Sequence, residues 1–369
     1  MHVLRLPTLA AAAAAGMAML MATGAQAADA PRIVSTIPPI HSLVAAVTKG
    51  VATPHLMLRG GASPHTYAMA PSDARALQDA QLVVWVGPTI EAFMARALRD
   101  PRPGRQVVTL MDSPGVIVLD AREGGIFDAH DHDHDEKHDH GDEHTHDEEH
   151  THDEEHTHDE EHAHDEEHAH DEKHDHGDEH AHDEEHAHDE DHAHEGHRDG
   201  HLWLDPKNAV RIVALVADSL VDLDPGRAAI YRANAKEATE RLMRLEVDLA
   251  AILNPVKERS FIVFHDAYQY LEQRYDLTVA GSITVAADRK PGAKRLREIQ
   301  DRLANAGVAC VFAEPQFPPD VVATVIEGTG ARAGVADPLG ASLEPGSDLY
   351  PALMRGLAQS LAECLSPHS

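Results

Sequence analysis

Apolar residues in this chain fall into short runs separated by stretches with helical spacing. Ile33 to Ile37, His55 to Leu58 and Leu82 to Val86 predict buried strands, the first stopped by Pro38-Pro39 and the third ended by Gly87-Pro88. A helix is expected from about Ile40 to Val47. Another is expected to open at Pro71-Ser72-Asp73, with Ser72 as its cap. The second half repeats this grammar. Phe261 to Phe264, Leu277 to Ala280 and Val308 to Ala313 read as strands. Helices begin near His265 and cover about Pro291 to Ala306, Pro319 to Glu327 and Leu349 to Leu365. Strands alternating with helices predict mostly parallel sheets with helices on their faces, hence an α/β fold of two lobes.

Between the lobes lies a long amphipathic pattern from Pro225 to about Leu253, which Asp224 can cap and Asn254-Pro255 ends. Leu242, Leu245, Leu249 and Ile252 recur at spacings of three and four and share one face. The pattern suits a long rigid helix joining the lobes better than a flexible hinge; the alternative is a helix belonging wholly to one lobe.

Two segments break the grammar. The first is N-terminal: Arg5, an apolar core from Leu9 to Met21, then Ala25-Gln26-Ala27 with Ala28 one step further. This is the layout of a cleaved secretory signal, residues 1–27. A single membrane anchor is the alternative, and the apolar run is short for one. No second long apolar run follows.

The other is acidic and rich in histidine. Residues 128–200 hold 33 Asp and Glu, 3 Lys and Arg and 24 of the 31 histidines. The formal charge of −32 therefore resides almost entirely there, since the rest carries 30 acids against 28 bases. A nearly neutral body offers no basic stripe for nucleic acid. The insertion repeats every six residues, as in His150-Thr151-His152-Asp153-Glu154-Glu155-His156, and has no aliphatic residue larger than alanine. It cannot bury apolar area to offset its ordering entropy, so it is expected to be disordered without metal and to act as a multi-site chelator. A solvated acidic linker is the bland alternative. The match of His152-Asp153-Glu154-Glu155-His156 to a zinc-peptidase pattern is a product of the repeat. Val116 to Leu119 precede the insertion and His201-Leu202-Trp203-Leu204 follow it. The expected organisation is thus an N-terminal α/β lobe (28–223) containing it, a linking helix (224–255) and a C-terminal α/β lobe (256–369).

Outside the insertion, His65, His201 and His265 share a position type, the loop after a strand or the start of a helix. Ligands in open α/β folds gather at the carboxyl ends of strands. Each alone reads as a buried structural histidine. Together, in an exported chain carrying a histidine-rich insertion, they read as metal ligands from two lobes meeting in the cleft. Three imidazoles suit tetrahedral zinc, although copper and nickel also favour imidazole. Cys310 and Cys364, an isolated pair in an exported chain, read as one disulfide.

Gly61-Ala62-Ser63-Pro64-His65, Pro71-Ser72-Asp73, Val84-Trp85-Val86-Gly87-Pro88, His201-Leu202-Trp203-Leu204-Asp205-Pro206, Phe264-His265-Asp266-Ala267-Tyr268, Phe312-Ala313-Glu314-Pro315-Gln316-Phe317 and Asp337-Pro338-Leu339-Gly340 together give the chain its family likeness. It resembles the ZnuA-type zinc-binding proteins, solute-binding proteins whose lobes are joined by a long rigid helix. The resemblance implies that His65, His201 and His265 are zinc ligands and that Asp337 lies near the site, a ligand in some relatives only. Some relatives carry a glutamate before the first histidine. Pro64 stands there in this chain, so Asp337 or a water must supply the fourth ligand. Cys310 and Cys364 also match a disulfide pair of some members.

The expected function is capture of zinc in the periplasm and its delivery to the membrane permease of an ABC-type importer. The insertion would be an auxiliary chelator, a periplasmic zinc chaperone a further candidate partner, and the protein a monomer and not an enzyme. Two other readings compete. One is a zinc buffer or adhesin-like surface protein with no transporter. The other is a zinc hydrolase, for which Glu314 is the nearest candidate base, although a structural hydrogen-bonding role suits that residue better.

Overall fold

The computed structural model describes residues 29–122, 198–284, 291–305, 307–318 and 320–367. The expected signal segment and almost all of the histidine-rich insertion lie outside the described residues.

The first lobe runs β1 (Ile33–Ser35), α1 (Pro38–Thr48), β2 (His55–Leu56), α2 (Pro71–Asp79), β3 (Leu82–Trp85), α3 (Ala92–Ala97), β4 (Gln106–Thr109), then the short strands β5 (Leu119–Asp120) and β6 (Arg198–Asp199), and α4 (Pro206–Leu223). α5 (Ala228–Leu253) follows. The second lobe comprises β7 (Phe261–His265), α6 (Gln269–Tyr275), β8 (Val279–Thr284), α7 (Ala293–Asn305), β9 (Cys310–Ala313), α8 (Asp320–Ile326), β10 (Arg332–Val335) and α9 (Leu349–Leu365). Each lobe holds a four-stranded parallel sheet, ordered β2-β1-β3-β4 and β10-β9-β7-β8. The two orders are the same when each lobe is counted from its own first strand. In both, the first strand is central, and every residue of β1, β3 and β7 is buried. Buried parallel strands read as continuous apolar runs for this reason.

Several boundaries differ from expectation. Pro38 and Pro39 do not merely stop a strand; they form the first turn of α1, where a missing N–H costs nothing. Pro71 does the same for α2, so Ser72 lies inside the helix and no side chain caps it. The helix after β7 starts at Gln269, because His265 still belongs to the strand. Arg198 and Asp199 were expected in the structureless insertion, yet they pair antiparallel with Asp120 and Leu119.

α5 has 26 residues, about 39 Å at 1.5 Å per residue. Asp224 does not cap it directly; it receives Arg227 Nη1 and Tyr231 Oη across the preceding 3₁₀ turn. Its buried face is Leu242, Leu245, Leu249 and Leu253, while Ile252 is half-buried and Met243 and Val247 are exposed. The helix packs on α1 and α4 of the first lobe and on α9 of the second, as a joining strut must. One apolar core runs through both lobes around it, from Ile33 through Trp203 and Leu245 to Tyr350 and Leu365. Truncating a leucine in such a core to alanine costs about 2–5 kcal/mol.

Hydrogen bonds cross between the lobes as well. Tyr350 donates its backbone N–H to Ser42 Oγ (2.9 Å) and its hydroxyl to the Trp203 carbonyl (2.8 Å). Trp203 Nε1 donates to the Pro338 carbonyl (2.8 Å). Cys310 of β9 and Cys364 of α9 form a disulfide, with Cα atoms 6.2 Å apart.

Candidate metal centre

Three loops converge where the lobes meet. His65 lies between β2 and α2, His201 just after β6 at the start of a 3₁₀ turn (Leu202–Leu204), and His265 at the carboxyl end of β7. Each offers a ring nitrogen, and these atoms lie within 4.8 Å of one another. Ring centroids are 5.2 Å apart for His201 and His265, 5.6 Å for His65 and His201, and 5.9 Å for His65 and His265. The Nε2 atoms of His201 and His265 face each other at 3.3 Å.

Two of the rings are held identically. Asp199 Oδ1 accepts from the backbone N–H of His201 (2.9 Å) and lies 2.7 Å from its Nδ1. Glu314 Oε1 accepts from the backbone N–H of His265 (3.2 Å) and lies 2.7 Å from its Nδ1. A carboxylate set against Nδ1 favours the tautomer with the proton on that nitrogen and Nε2 turned to the cleft, the tautomer a metal requires. The arrangement places two buried carboxyl groups behind the rings, where they can balance the charge of a divalent cation. Burial of the site and the two facing imidazoles push the pKa of His65 down to about 2, so it stands as a free base. For His265, burial lowers the pKa, but the Glu314 carboxylate outweighs it and the net direction is upward.

The fold explains why these groups meet. β7 and β9 are neighbours in the sheet, so His265 ending one faces Glu314 following the other. Gly200, immediately before His201, packs so closely that a Cβ there would lie 2.4 Å from Ile90 Cγ1 and 2.7 Å from Thr89 Oγ1. A larger residue here would force Thr89 and Ile90 to shift. Trp203 lies under His201 (5.4 Å) and Phe317 beside His265 (5.6 Å), giving the centre an apolar wall.

Asp337 lies close by but is not brought into the cluster. Its Oδ1 accepts from Gln316 Nε2, Leu339 N and Gly340 N (each 3.0 Å), and its Oδ2 from Ala341 N (2.6 Å). It holds the loop whose Pro338 and Leu339 line the cleft. Among the described residues the cluster is His65, His201 and His265 alone.

The match to known proteins is extensive. Residues 33–364 fit the family described as "Zinc-uptake complex component A periplasmic", ZnuA. The chain belongs to the ZnuA family. It is 47% identical to a Brucella suis protein called high-affinity zinc uptake system protein ZnuA, over 90% of this chain and 91% of the relative. The protein of that name from Paracoccus denitrificans is 40% identical, over 98% of this chain and 99% of the relative. A crystal structure of a ZnuA superposes with a TM-score of 0.64 at 21% identity, covering 92% of this chain and all of that one, which shows the shared two-lobe fold. The family supplies solute-binding components of transporters, and the chain is not an enzyme.

Asp199 was missed in the sequence, since it sat at the end of a run defined by composition. Glu314 was legible as a hydrogen-bonding carboxylate but not as the partner of His265, because that pairing depends on strand order.

Proposed function

We propose that this protein captures zinc outside the cytoplasm through His65, His201 and His265 and delivers it to the permease of an ABC-type importer. The observation that carries the reading is the convergence of three imidazole nitrogens within 4.8 Å, two of them on rings whose Nδ1 is engaged by a buried carboxylate. Three imidazole nitrogen donors favour zinc over harder cations. A water completes the tetrahedron, since the Asp337 carboxylate is engaged by three backbone N–H groups and Gln316. The cleft encloses only about 10 Å³ of free volume, far below a usual organic-ligand site of roughly 300–1,000 Å³, and suits an ion.

Residues 1–27 act as the export signal, which agrees with membership of a family described as periplasmic. The protein works as a monomer, and its insertion serves as an auxiliary chelator that a periplasmic zinc chaperone could also load.

The test is zinc titration against a competing chelator. Wild-type protein lacking residues 128–197 should bind one tight zinc, and His265→Ala should weaken that site by orders of magnitude. Unchanged tight binding in His265→Ala would overturn the ligand assignment. In cells, failure of the His65→Ala gene to restore transporter-dependent growth in low zinc would support delivery, and full restoration would refute it.

A further inference from the structure

The chain leaves the first lobe for the histidine-rich insertion through β5 and re-enters it through β6, and this two-stranded stem is bound to the second lobe. Tyr270, on α6, takes the Leu119 backbone N–H on its hydroxyl oxygen (3.0 Å) and donates that hydroxyl to the Asp199 carbonyl (2.6 Å). One phenol therefore pins both strands. Just past β5, Arg122 reaches the same face. Its guanidinium pairs with both oxygens of Asp266 and makes two bonds to Glu272, of 2.7 and 2.8 Å. All three side chains are largely buried, with 20% exposure for Arg122, 11% for Asp266 and 12% for Glu272. Glu272 would be costly to ionise here, and burial does push its pKa up, but the guanidinium provides the compensating charge.

The stem and the residues it grips lie beside two of the ligands. Asp199, whose carbonyl Tyr270 holds, also fixes the His201 ring through its side chain. Asp266, which Arg122 holds, directly follows His265. A displacement of the stem from α6 would therefore move His201 and His265 apart.

We propose that the stem is an interlobe clasp, in which Arg122 and Tyr270 are positioning residues that hold His201 and His265 at metal-binding distance and so set how fast zinc leaves. The clasp rests on the three-histidine reading of the site. It adds a specific control point: the base of the insertion ties the ligand-bearing loops together through Arg122 and Tyr270, alongside the strut α5.

The experiment measures zinc dissociation by stopped-flow mixing with excess chelator, alongside stoichiometry and metal-free thermal stability. It uses the full chain and its Arg122→Gln, Arg122→Lys and Tyr270→Phe variants. The expected result is one tight zinc retained in each, with release from Arg122→Gln and Tyr270→Phe faster by about tenfold, the lower end of what loss of an outer partner costs a metal site. Arg122→Lys, which can serve one carboxylate but not both, should fall between. A merely structural role would lower the metal-free melting temperature without changing the release rate. Wild-type release rates in both variants would overturn the clasp. Should Arg122→Gln fail to fold, Tyr270→Phe, which removes a single oxygen and no charge, decides the matter alone. Loss of tight zinc in His265→Ala but not in these variants separates failure of the site from failure of the clasp.

Discussion

Glu314 Oε1 lies 2.7 Å from the Nδ1 of His265 and 3.2 Å from the backbone nitrogen of the same residue, so one oxygen sets both the tautomer and the seat of that ring. The other oxygen, Oε2, is buried without a hydrogen-bond partner among the described residues. Replacing Glu314 by glutamine keeps the volume and one acceptor but removes the charge that makes Nε2 a stronger donor to metal. Glu314→Gln should weaken zinc binding by about 10- to 100-fold with the stoichiometry unchanged. Chelator competition checks this. Wild-type affinity in the variant would show that the carboxylate merely fills space.

Glu91 predicts a pH dependence of folding that is separate from the metal. It is fully buried, accepts from Val86 N (2.7 Å) and Gly87 N (3.1 Å) through Oε2, and meets Thr36 Oγ1 through Oε1. Burial raises its pKa to about 7, against the hydrogen bonds that lower it. A carboxyl with a raised folded pKa binds its proton more tightly in the native state than in the unfolded one. Its contribution is therefore fully present below the unfolded value of about 4.5 and is lost as pH rises through about 7. Glutamine can accept from the two N–H groups and pair with Thr36 without carrying a charge. Glu91→Gln should match wild type near pH 4.5 and gain up to about 3 kcal/mol over it by pH 8. Urea unfolding of metal-free protein across this range measures the difference, and parallel pH profiles would refute it.

The disulfide should act on the second lobe alone. Cys310 and Cys364 are separated by 54 positions and tie β9 to α9, which in the chain-entropy picture is worth about 4 kcal/mol. The double Cys→Ser variant should lose about that much stability to urea while keeping one tight zinc, because the donor atoms of His65, His201 and His265 do not depend on the bridge. Two free thiols in exported protein would contradict the bond itself.

Much of this fold could be read from the chain because buried parallel strands announce themselves as apolar runs. α9 begins and ends where its pattern does. The edge strands β4 and β10 were not anticipated, since Gln106–Thr109 and Arg332–Val335 are short and only partly buried. α4 also escaped the reading, although Asp205 caps it through Lys207 N and Pro206 opens it. Its many valines carry no decisive helical preference by themselves. The three histidines were visible by position type. Their pairing with the carboxylates behind them was not, because Asp199 is two residues from its partner and Glu314 forty-nine, and no single spacing rule covers both.

The final prediction separates the insertion from its stem. β5 and β6 form an antiparallel pair, Leu119 with Asp199 and Asp120 with Arg198. Deleting 128–197 leaves residues 121–127 to join Asp120 to Arg198, long enough to close a hairpin. Deleting 128–200 removes three further residues. Arg198 goes, with its bonds to the Met111 carbonyl and Asp112. Asp199 goes, and with it both hydrogen bonds that orient His201. Gly200 goes too, the one residue that lets the loop pack against Thr89 and Ile90. The shorter deletion should therefore retain one tight zinc per chain with affinity close to wild type, and lose only weaker sites. The longer deletion should weaken the tight site by at least about tenfold, the effect expected of a ligand deprived of its outer partner. Titration of both against a chelator of known affinity distinguishes them. Loss of the tight site in the shorter deletion would mean that the insertion supplies a primary ligand. Equal affinity in the two would mean that Asp199 does not support His201 in the bound state.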